Sequence, residues 1–399
     1  MEAVDLVIIG GGINGAGIAQ CASAAGYSVL LLEKSTIAAQ TSANSSKLIH
    51  GGLRYLESGQ LPLVRKSLAE RKALLQLAPS LVNPIPFYIP VYENSRRSPW
   101  TIRAGLSLYA LLSEFDALGQ FKSIPSVHWS KIKGLKLQGL KALYQYWDAQ
   151  TDDKLLTEAV IKNARSLGAQ IIEHAKCTTI EQHKGHCKVG YQLVEAAGNN
   201  AVTETVQVEA LAVINAAGPW VNEVLACVKP QIAAEAIEWV QGSHLLLDIP
   251  ANDGILYLES CFDQRVIFVM PWNGQTLVGT TETVLEQLSG KPQITEAETD
   301  YLLGIYQHYF SEFGDVEALK ARVVDSFCGV RVLPKQTGNA FDRPRDTLQK
   351  NQASHPNLLS LYGGKLTTYR TTATEVIDWI EQTIGDRQAL ADFDKLQLE

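Results

Sequence analysis

The sequence holds no Cys-x-x-Cys pair: its six cysteines, Cys21, Cys177, Cys187, Cys227, Cys261 and Cys328, stand singly. Neither a zinc site nor a disulfide framework is readable from such spacing, and it fits a reducing compartment. An excess of positive charge is missing too. The 35 Lys and Arg against 42 Asp and Glu leave a net charge of −7, which argues against a nucleic-acid-binding surface. No internal repeat or low-complexity tract occurs, and 46% hydrophobic with 19% charged residues excludes the disordered and collagen-like classes. Charge is absent altogether from Leu6 to Leu32. That stretch is no membrane span or signal peptide, because Gly10, Gly11 and Gly12 interrupt it, Asn14 and Gln20 lie inside it, and the acidic Glu2 and Asp5 stand where a basic region is needed. It reads as two buried strands around a helix. What remains is a chain of 399 residues, enough for two domains at roughly 150 residues each.

The run Asp5 to Gly10 has the apolar pattern of a buried strand, Ile13 to Ala25 is spaced like a helix that Gly26 ends, and Tyr27 to Leu32 is a second strand. This βαβ unit predicts a parallel sheet flanked by helices. Helices are also expected over Leu61 to Leu77, Leu155 to Leu167 and about Thr371 to Ile384. Pro84, Pro86, Pro90 and Pro99 suggest a passage into another domain. Ala210 to Asn215 and Leu358 to Leu361 read as buried strands. Alternating runs at His244 to Leu247, Val266 to Met270 and Thr276 to Val278 suggest a sheet with one buried face. The first domain is thus built from distant segments, with a second inserted between them.

Gly10-x-Gly12-x-x-Gly15 lies between a strand and a helix, the context a dinucleotide fingerprint requires. The first glycine permits the turn, the second lets backbone approach a pyrophosphate, and the third lets helix and strand pack. The helix N-terminus offers free N–H groups and a positive dipole end to phosphates. Glu33 ends the second strand, where its carboxylate can accept from ribose hydroxyls and repel a 2′-phosphate. The fingerprint does not separate FAD from NAD. The polar segment Thr41-Ser-Ala-Asn-Ser-Ser-Lys47 and the small-residue turn Ile214-Asn-Ala-Ala-Gly-Pro-Trp220 favour the longer FAD; alone, each reads as a polar loop and a strand end.

Ser45-Ser-Lys-Leu-Ile-His-Gly-Gly-Leu-Arg-Tyr55, Ala217-Gly-Pro-Trp-Val221, Gly242-Ser-His244, Val266-Ile-Phe-Val-Met-Pro-Trp272, Gly279-Thr-Thr281, Gly329-Val-Arg331 and Gly363-Gly-Lys-Leu-Thr-Thr-Tyr-Arg370, together with the glycine fingerprint, resemble the FAD-dependent glycerol-3-phosphate dehydrogenases. These belong to the wider D-amino-acid oxidase and glycine oxidase class of flavoproteins. The resemblance runs in order over nearly the whole chain. It implies an α/β fold with a discontinuous Rossmann-like FAD-binding domain (residues 1–75, 150–232 and 323–399) and an inserted antiparallel-sheet substrate domain (76–149 and 233–322). It implies FAD as cofactor, oxidation of glycerol 3-phosphate to dihydroxyacetone phosphate, and passage of electrons to quinone or another acceptor. The candidate cofactor-binding residues are Gly10, Gly12, Asn14, Gly15, Glu33, Lys34, Thr41, Ser42, Ser45, Ser46, Leu48, His50, Ala217, Gly218, Trp220, Gly364, Lys365, Leu366 and Thr367. The candidate catalytic residues are His244, Arg331, Arg54, Lys365, His50 and Tyr55.

A phosphate dianion calls for cations, which Arg grips bidentately, and loss of an alcohol proton calls for a base. His244 is the first candidate for that base and His50 the second. Backbone N–H groups of the Gly363 segment, with Lys365, suit the negative charge of a reduced flavin. Departures from the family are Val332 in place of a proline after Gly-Val-Arg, and the expected lack of a helical C-terminal domain. Either Arg343 or Arg345 stands for the family's substrate arginine. Rival readings are a flavin-dependent oxidase of an amine or another hydroxy acid, and a non-catalytic flavin-binding protein.

Between Ala117 and Trp147 no acidic residue occurs and five lysines do: Lys122, Lys131, Lys133, Lys136 and Lys141. The preceding Trp100 to Leu112 carries only Arg103 as a charge. The pair reads either as a solvated face beside a core helix or as a surface that docks on an anionic bilayer. With the resemblance, the expected location is cytoplasmic, with peripheral contact on the inner face of the cytoplasmic membrane.

Overall fold

The computed structural model describes residues 2–114, 116, 118–194, 205–263, 265–288, 291–335 and 347–399; Arg343 and Arg345 lie outside them. The uncharged N-terminal stretch forms the strand Glu2–Ile9, the helix Ile13–Ala24 and the strand Val29–Leu32. Glu2–Ile9 pairs in parallel with Val29–Leu32 on one side and with Val206–Asn215 on the other. Gln170–Ile172 and His355–Tyr362 extend this parallel core outward at its two edges. Alternation sends Leu6 and Ile8 to one face and Val7 and Ile9 to the other. Leu6 and Ile8 join a core with the helices Ile13–Ala24, Asp153–Ser166 and Tyr369–Ile384. The other face differs from the expectation of flanking helices. There Val7, Ile9, Leu30 and Leu32 pack on the antiparallel strands Ala175–His183 and His186–Leu193. Strands buried on both faces lose the polar half of the alternation, which is why the sequence reads as uniformly apolar runs.

A second, ten-stranded sheet holds the strands Leu48–Ile49, Val82–Tyr92, Leu140–Thr151, Ile237–Pro250, Val266–Trp272 and Val323–Pro334 among others. Its pairs are antiparallel except one, Ile255–Glu259 beside Val82–Tyr92. Of the proline-rich stretch, Pro84, Pro86 and Pro90 lie in the strand Val82–Tyr92, and Pro99 opens the helix Pro99–Leu112. Pro84, Pro86 and Pro90 share one parity, so their missing N–H groups fall on one side, and the ladder to Leu140–Thr151 on the other side runs on. Both faces of this sheet are covered, not one as the alternation suggests. The helices Leu61–Leu77 and Pro99–Leu112 pack on one face with Phe87, Tyr146 and Tyr257, and the helix Glu296–Tyr309 packs on the other with Leu245, Leu256 and Val278. The strand Val323–Pro334, on the first-domain side of the border drawn at residue 323, lies in this second sheet, paired along its length with Ile237–Pro250. Its register with that strand, not local pattern, decides where it belongs.

Candidate active site

The turn Gly10 to Gly12, the turn after Val206–Asn215 and the segment Gly363 to Thr368 all leave the carboxyl ends of neighbouring parallel strands, the usual place for a ligand in an α/β fold. Gly10 has φ +112°, and a Cβ there would come within 2.5 Å of Ala216 O. A Cβ on Gly15 would lie 1.9 Å from Gly10 O, so Gly15 serves helix–strand packing and does not line the cleft. Gly12 is different, with only Ser42 Oγ near an added Cβ, at 3.1 Å. The helix that follows has no acidic residue in its first turn, which leaves its positive end unopposed. Glu33 reaches the cleft and also holds the turn. Its Oε2 accepts from Gly11 N–H at 2.7 Å and its Oε1 from the Ser35 N–H and hydroxyl at 2.8 Å.

One cleft runs from Glu33, Lys34 and Trp220 past Asn14, Thr41 and Ser42 to Ser45, Ser46, Leu48, His50, Tyr55, His244 and Arg331, with Ala217, Gly218 and Gly364 to Thr367 along its wall. Among the described residues it gathers every candidate except Gly15 and Arg54. Lys34 Nζ sits 3.9 Å from the centre of the Trp220 ring, a cation–π contact that closes one end. Asn14 Nδ2 donates to Gly363 O at 3.3 Å, while its buried Oδ1 has no partner among the described residues. Thr41 donates to Val330 O at 2.7 Å and so ties the polar loop to the second sheet. The pyrophosphate turn, the unopposed helix end, the open backbone at Gly12 and the unsatisfied Asn14 oxygen together fit a bound dinucleotide.

At the other end, His244 comes from Ile237–Pro250 in the second sheet and is only 2% exposed. Its Nε2 lies 3.0 Å from Ser46 Oγ, its ring stacks on Phe327 with centroids 4.8 Å apart, and its Nδ1 is without a partner among the described residues. Burial, then the charges of Lys47 and Arg331, push its pKa down to about 3, so the ring is neutral at physiological pH. Arg331 Nη2 pairs with Glu282 Oε1 at 3.4 Å. His50 N–H donates to Thr367 Oγ1 at 3.3 Å, which brings the His50 and Gly363 motifs together. Desolvation, then Lys365, Arg54 and Arg71, lower the His50 pKa to about 3 as well. Lys365 Nζ lies 3.9 Å from the centre of the Tyr55 ring, and the Arg54 guanidinium packs on the same ring at 5.6 Å. Arg54 does not line the cleft.

Local sequence pattern does not mark two groups beside the cleft. Lys47, buried at φ +61°, bonds Ala43 O at 2.6 Å and Asp153 Oδ1 at 2.5 Å and contributes to lowering the His244 pKa. The second group is the buried set Arg71, Asp148 and Tyr109 beneath Gly51. Lys47 lies within the Ser45 to Tyr55 motif and is the more readable of the two.

The depressed histidines carry a stability consequence. His244 is neutral in the fold but titrates near 6.5 when unfolded, so the unfolded chain binds more protons between about pH 6.5 and 3. Its contribution is full above pH 6.5 and is lost as pH falls toward 3. Urea unfolding is expected to show that His244→Gln loses about 3 kcal/mol less than the wild type between pH 7 and 4. Equal losses in both proteins would contradict a low His244 pKa.

A parallel sheet with a glycine turn at the carboxyl end of its first strand and a cleft beside it defines a class, the proteins with a Rossmann-like dinucleotide fold. Residues 5–370 match the family model described as "FAD dependent oxidoreductase". The chain is 34% identical to a glycerol-3-phosphate dehydrogenase of Synechocystis sp., covering 94% of this chain and 69% of the relative. It is 35% identical to a D-erythritol 1-phosphate dehydrogenase of Brucella abortus, covering 93% and 72%. Among solved structures, glycerol-3-phosphate dehydrogenase from Bacillus halodurans complexed with FAD shares the fold, with a TM-score of 0.73 at 24% identity over 100% of this chain and 68% of that one. The chain belongs to the FAD-dependent oxidoreductase family.

Proposed function

We propose that the protein oxidises glycerol 3-phosphate to dihydroxyacetone phosphate with FAD as cofactor. The observation that carries this reading is the meeting, in one cleft, of the dinucleotide turn with Arg331, Lys365 and a buried neutral histidine. The glycine turn, Glu33, Asn14, the polar loop 41–48, the turn 217–220 and the segment 364–367 would hold FAD. Bound FAD supplies the hydride acceptor. Arg331 and Lys365 supply positive charge for a phosphorylated substrate. His244, with one ring nitrogen facing Ser46 and the other without a partner among the described residues, takes the hydroxyl proton. The first sheet then serves as the cofactor domain and the second as the substrate domain, with their border at the end of Val323–Pro334.

A phosphorylated polyol is the substrate class that cations select, whereas an amine or simple hydroxy acid needs only a carboxylate grip. Product formation should therefore be seen with glycerol 3-phosphate, tested beside D-erythritol 1-phosphate and glycine with an artificial acceptor. Turnover of glycine alone would replace this reading by the oxidase one. Arg331→Lys is expected to lower kcat/KM for glycerol 3-phosphate by about 10- to 100-fold, because Lys lacks the planar fork. An unchanged kcat/KM would remove Arg331 from the phosphate site.

We further propose that electrons pass to quinone or another acceptor and that the protein touches an anionic membrane. No described helix is long and apolar enough to cross a membrane. The support is the exposed Val127, 78% accessible, among Lys122, Lys131, Lys133 and Lys136. Trp100 is 79% exposed, but its helix packs on the opposite face of the second sheet from Ile132 and Leu135, so the lysine segment is the docking element. Sedimentation with phosphatidylserine vesicles but not with neutral ones is expected, weakened by Lys131→Glu and Lys133→Glu at about 1 kcal/mol per charge. Equal sedimentation with both vesicle types, or with neither, would contradict it.

A further inference from the structure

Glu298 stands in the first turn of the helix Glu296–Tyr309, where it and Thr295 cap the helix reciprocally. That cap occupies one oxygen: Oε2 accepts from Thr295 N–H at 3.0 Å, and from Gln241 Nε2 at 3.0 Å. The other oxygen faces a different set of donors. Oε1 accepts from the hydroxyls of Ser243 at 2.9 Å, Thr281 at 2.7 Å and Thr283 at 2.9 Å. A helix cap accounts for the first oxygen and leaves the second unexplained. Burial works against ionisation, but the hydrogen bonds from Thr295, Thr281, Thr283 and Ser243 outweigh it and hold the Glu298 carboxyl below its ordinary value. The group is a buried carboxylate held by neutral donors.

Those donors share a position. Ser243 immediately precedes His244, and the two side chains point to opposite faces of their strand. Thr281 lies two residues after Gly279, the residue opposite His244 in the antiparallel ladder. Ser243 N–H donates to Thr281 Oγ1 at 3.0 Å, and Thr281 N–H to Ser243 O at 3.4 Å. The His244 ring sits so close to this neighbour that a Cβ on Gly279 would fall 2.0 Å from its Cδ2. The spacing of the two segments therefore decides where the ring lies.

We propose that Glu298 is a positioning residue for His244: by clamping Ser243 and Thr281 from the helix-covered face, it fixes the segment spacing that sets the imidazole against Ser46 and the cleft. The inference rests on the reading of His244 as proton acceptor. It assigns Glu298 no contact with substrate, so its effect must pass through the histidine.

The test is a double-mutant cycle on the FAD-loaded protein, read by anaerobic flavin reduction with glycerol 3-phosphate. Glu298→Gln should keep its FAD and slow reduction at saturating substrate by about 10- to 100-fold, the cost of a misplacement near 1 Å. KM should move less than about 3-fold, since substrate binding is not the target. In the His244→Gln background the Glu298 substitution should cost nothing further, because the residue through which it acts is gone. Thr281→Val, which deletes one of the hydroxyl donors, should show the same coupling at smaller size, and Thr281→Ser should restore the wild-type rate. This second pair decides the matter if Glu298→Gln fails to hold flavin. Normal reduction in Glu298→Gln beside slow reduction in His244→Gln, or losses that multiply in the double variant, would overturn the role of Glu298 alone. Normal reduction in His244→Gln would overturn the reading beneath it.

Discussion

His244→Gln is expected to slow reduction of the bound flavin by glycerol 3-phosphate by about 10² to 10⁴-fold, while the protein keeps its FAD and much of its substrate affinity. The magnitude follows from removing a general base and little else. Glutamine can keep a polar contact with Ser46 Oγ, now 3.0 Å from the imidazole, and it is close enough in size to stay on Phe327. What it cannot do is accept a proton. His244 suits that task because burial with Lys47 and Arg331 nearby keeps it neutral; a dianionic substrate would raise its pKa toward the working pH once bound. Stopped-flow reduction without oxygen checks the prediction. A normal rate in His244→Gln with a large loss in His50→Gln would move the role to His50, whose N–H is anchored on Thr367. Normal rates in both would mean that neither is the base.

The second large effect concerns stability. Arg71 is fully buried, and its Nη1 donates to Asp148 Oδ1 at 2.7 Å and to Trp147 O at 3.0 Å. Asp148 also accepts from the Tyr109 hydroxyl at 2.8 Å and from Gly51 N–H at 3.3 Å. Burial raises the pKa of the Asp148 carboxyl despite these donors, so it depends on its cation. Arg71→Met should cost about 3–5 kcal/mol in urea unfolding, because it leaves Asp148 buried without a counter-charge. Adding Asp148→Asn to that variant should recover part of the loss, since the uncompensated charge is the expensive item. Because Gly51 follows His50 directly, the single variant should also weaken flavin reduction. A loss below about 1 kcal/mol would show that Asp148 is satisfied without Arg71.

These two effects differ in how far the sequence announces them. The glycine turn, Glu33 and the two parallel strands were legible because strand, spaced glycines, helix and second strand follow one another directly in the sequence. His244, Arg331 and Lys365 were legible only through the longer motifs, since a lone histidine or arginine carries no address. Arg71 reads as one more charge on an amphipathic helix, and nothing local ties it to Asp148, 77 residues on. Glu298 has a visible signal in Thr295-Glu-Ala-Glu298, but the pattern shows a helix start and hides the contacts with Ser243, 55 residues away. The prolines of Val82–Tyr92 masked a strand for a related reason. Proline is a poor strand former by composition, yet one parity places all three on the side the ladder to Leu140–Thr151 does not use. Both covered faces of the second sheet likewise depend on which helices return to it, information carried by topology alone.

In the proposed reaction a phosphorylated polyol gives its hydride to FAD in the cleft between the two sheets. The most direct measurement is anaerobic addition of glycerol 3-phosphate to the purified protein, with the yellow flavin absorbance followed to completion. The flavin is expected to bleach fully with one equivalent of dihydroxyacetone phosphate formed per FAD. A flavin spectrum that stays unchanged under excess glycerol 3-phosphate, in protein shown by acid extraction to hold FAD, would contradict the account.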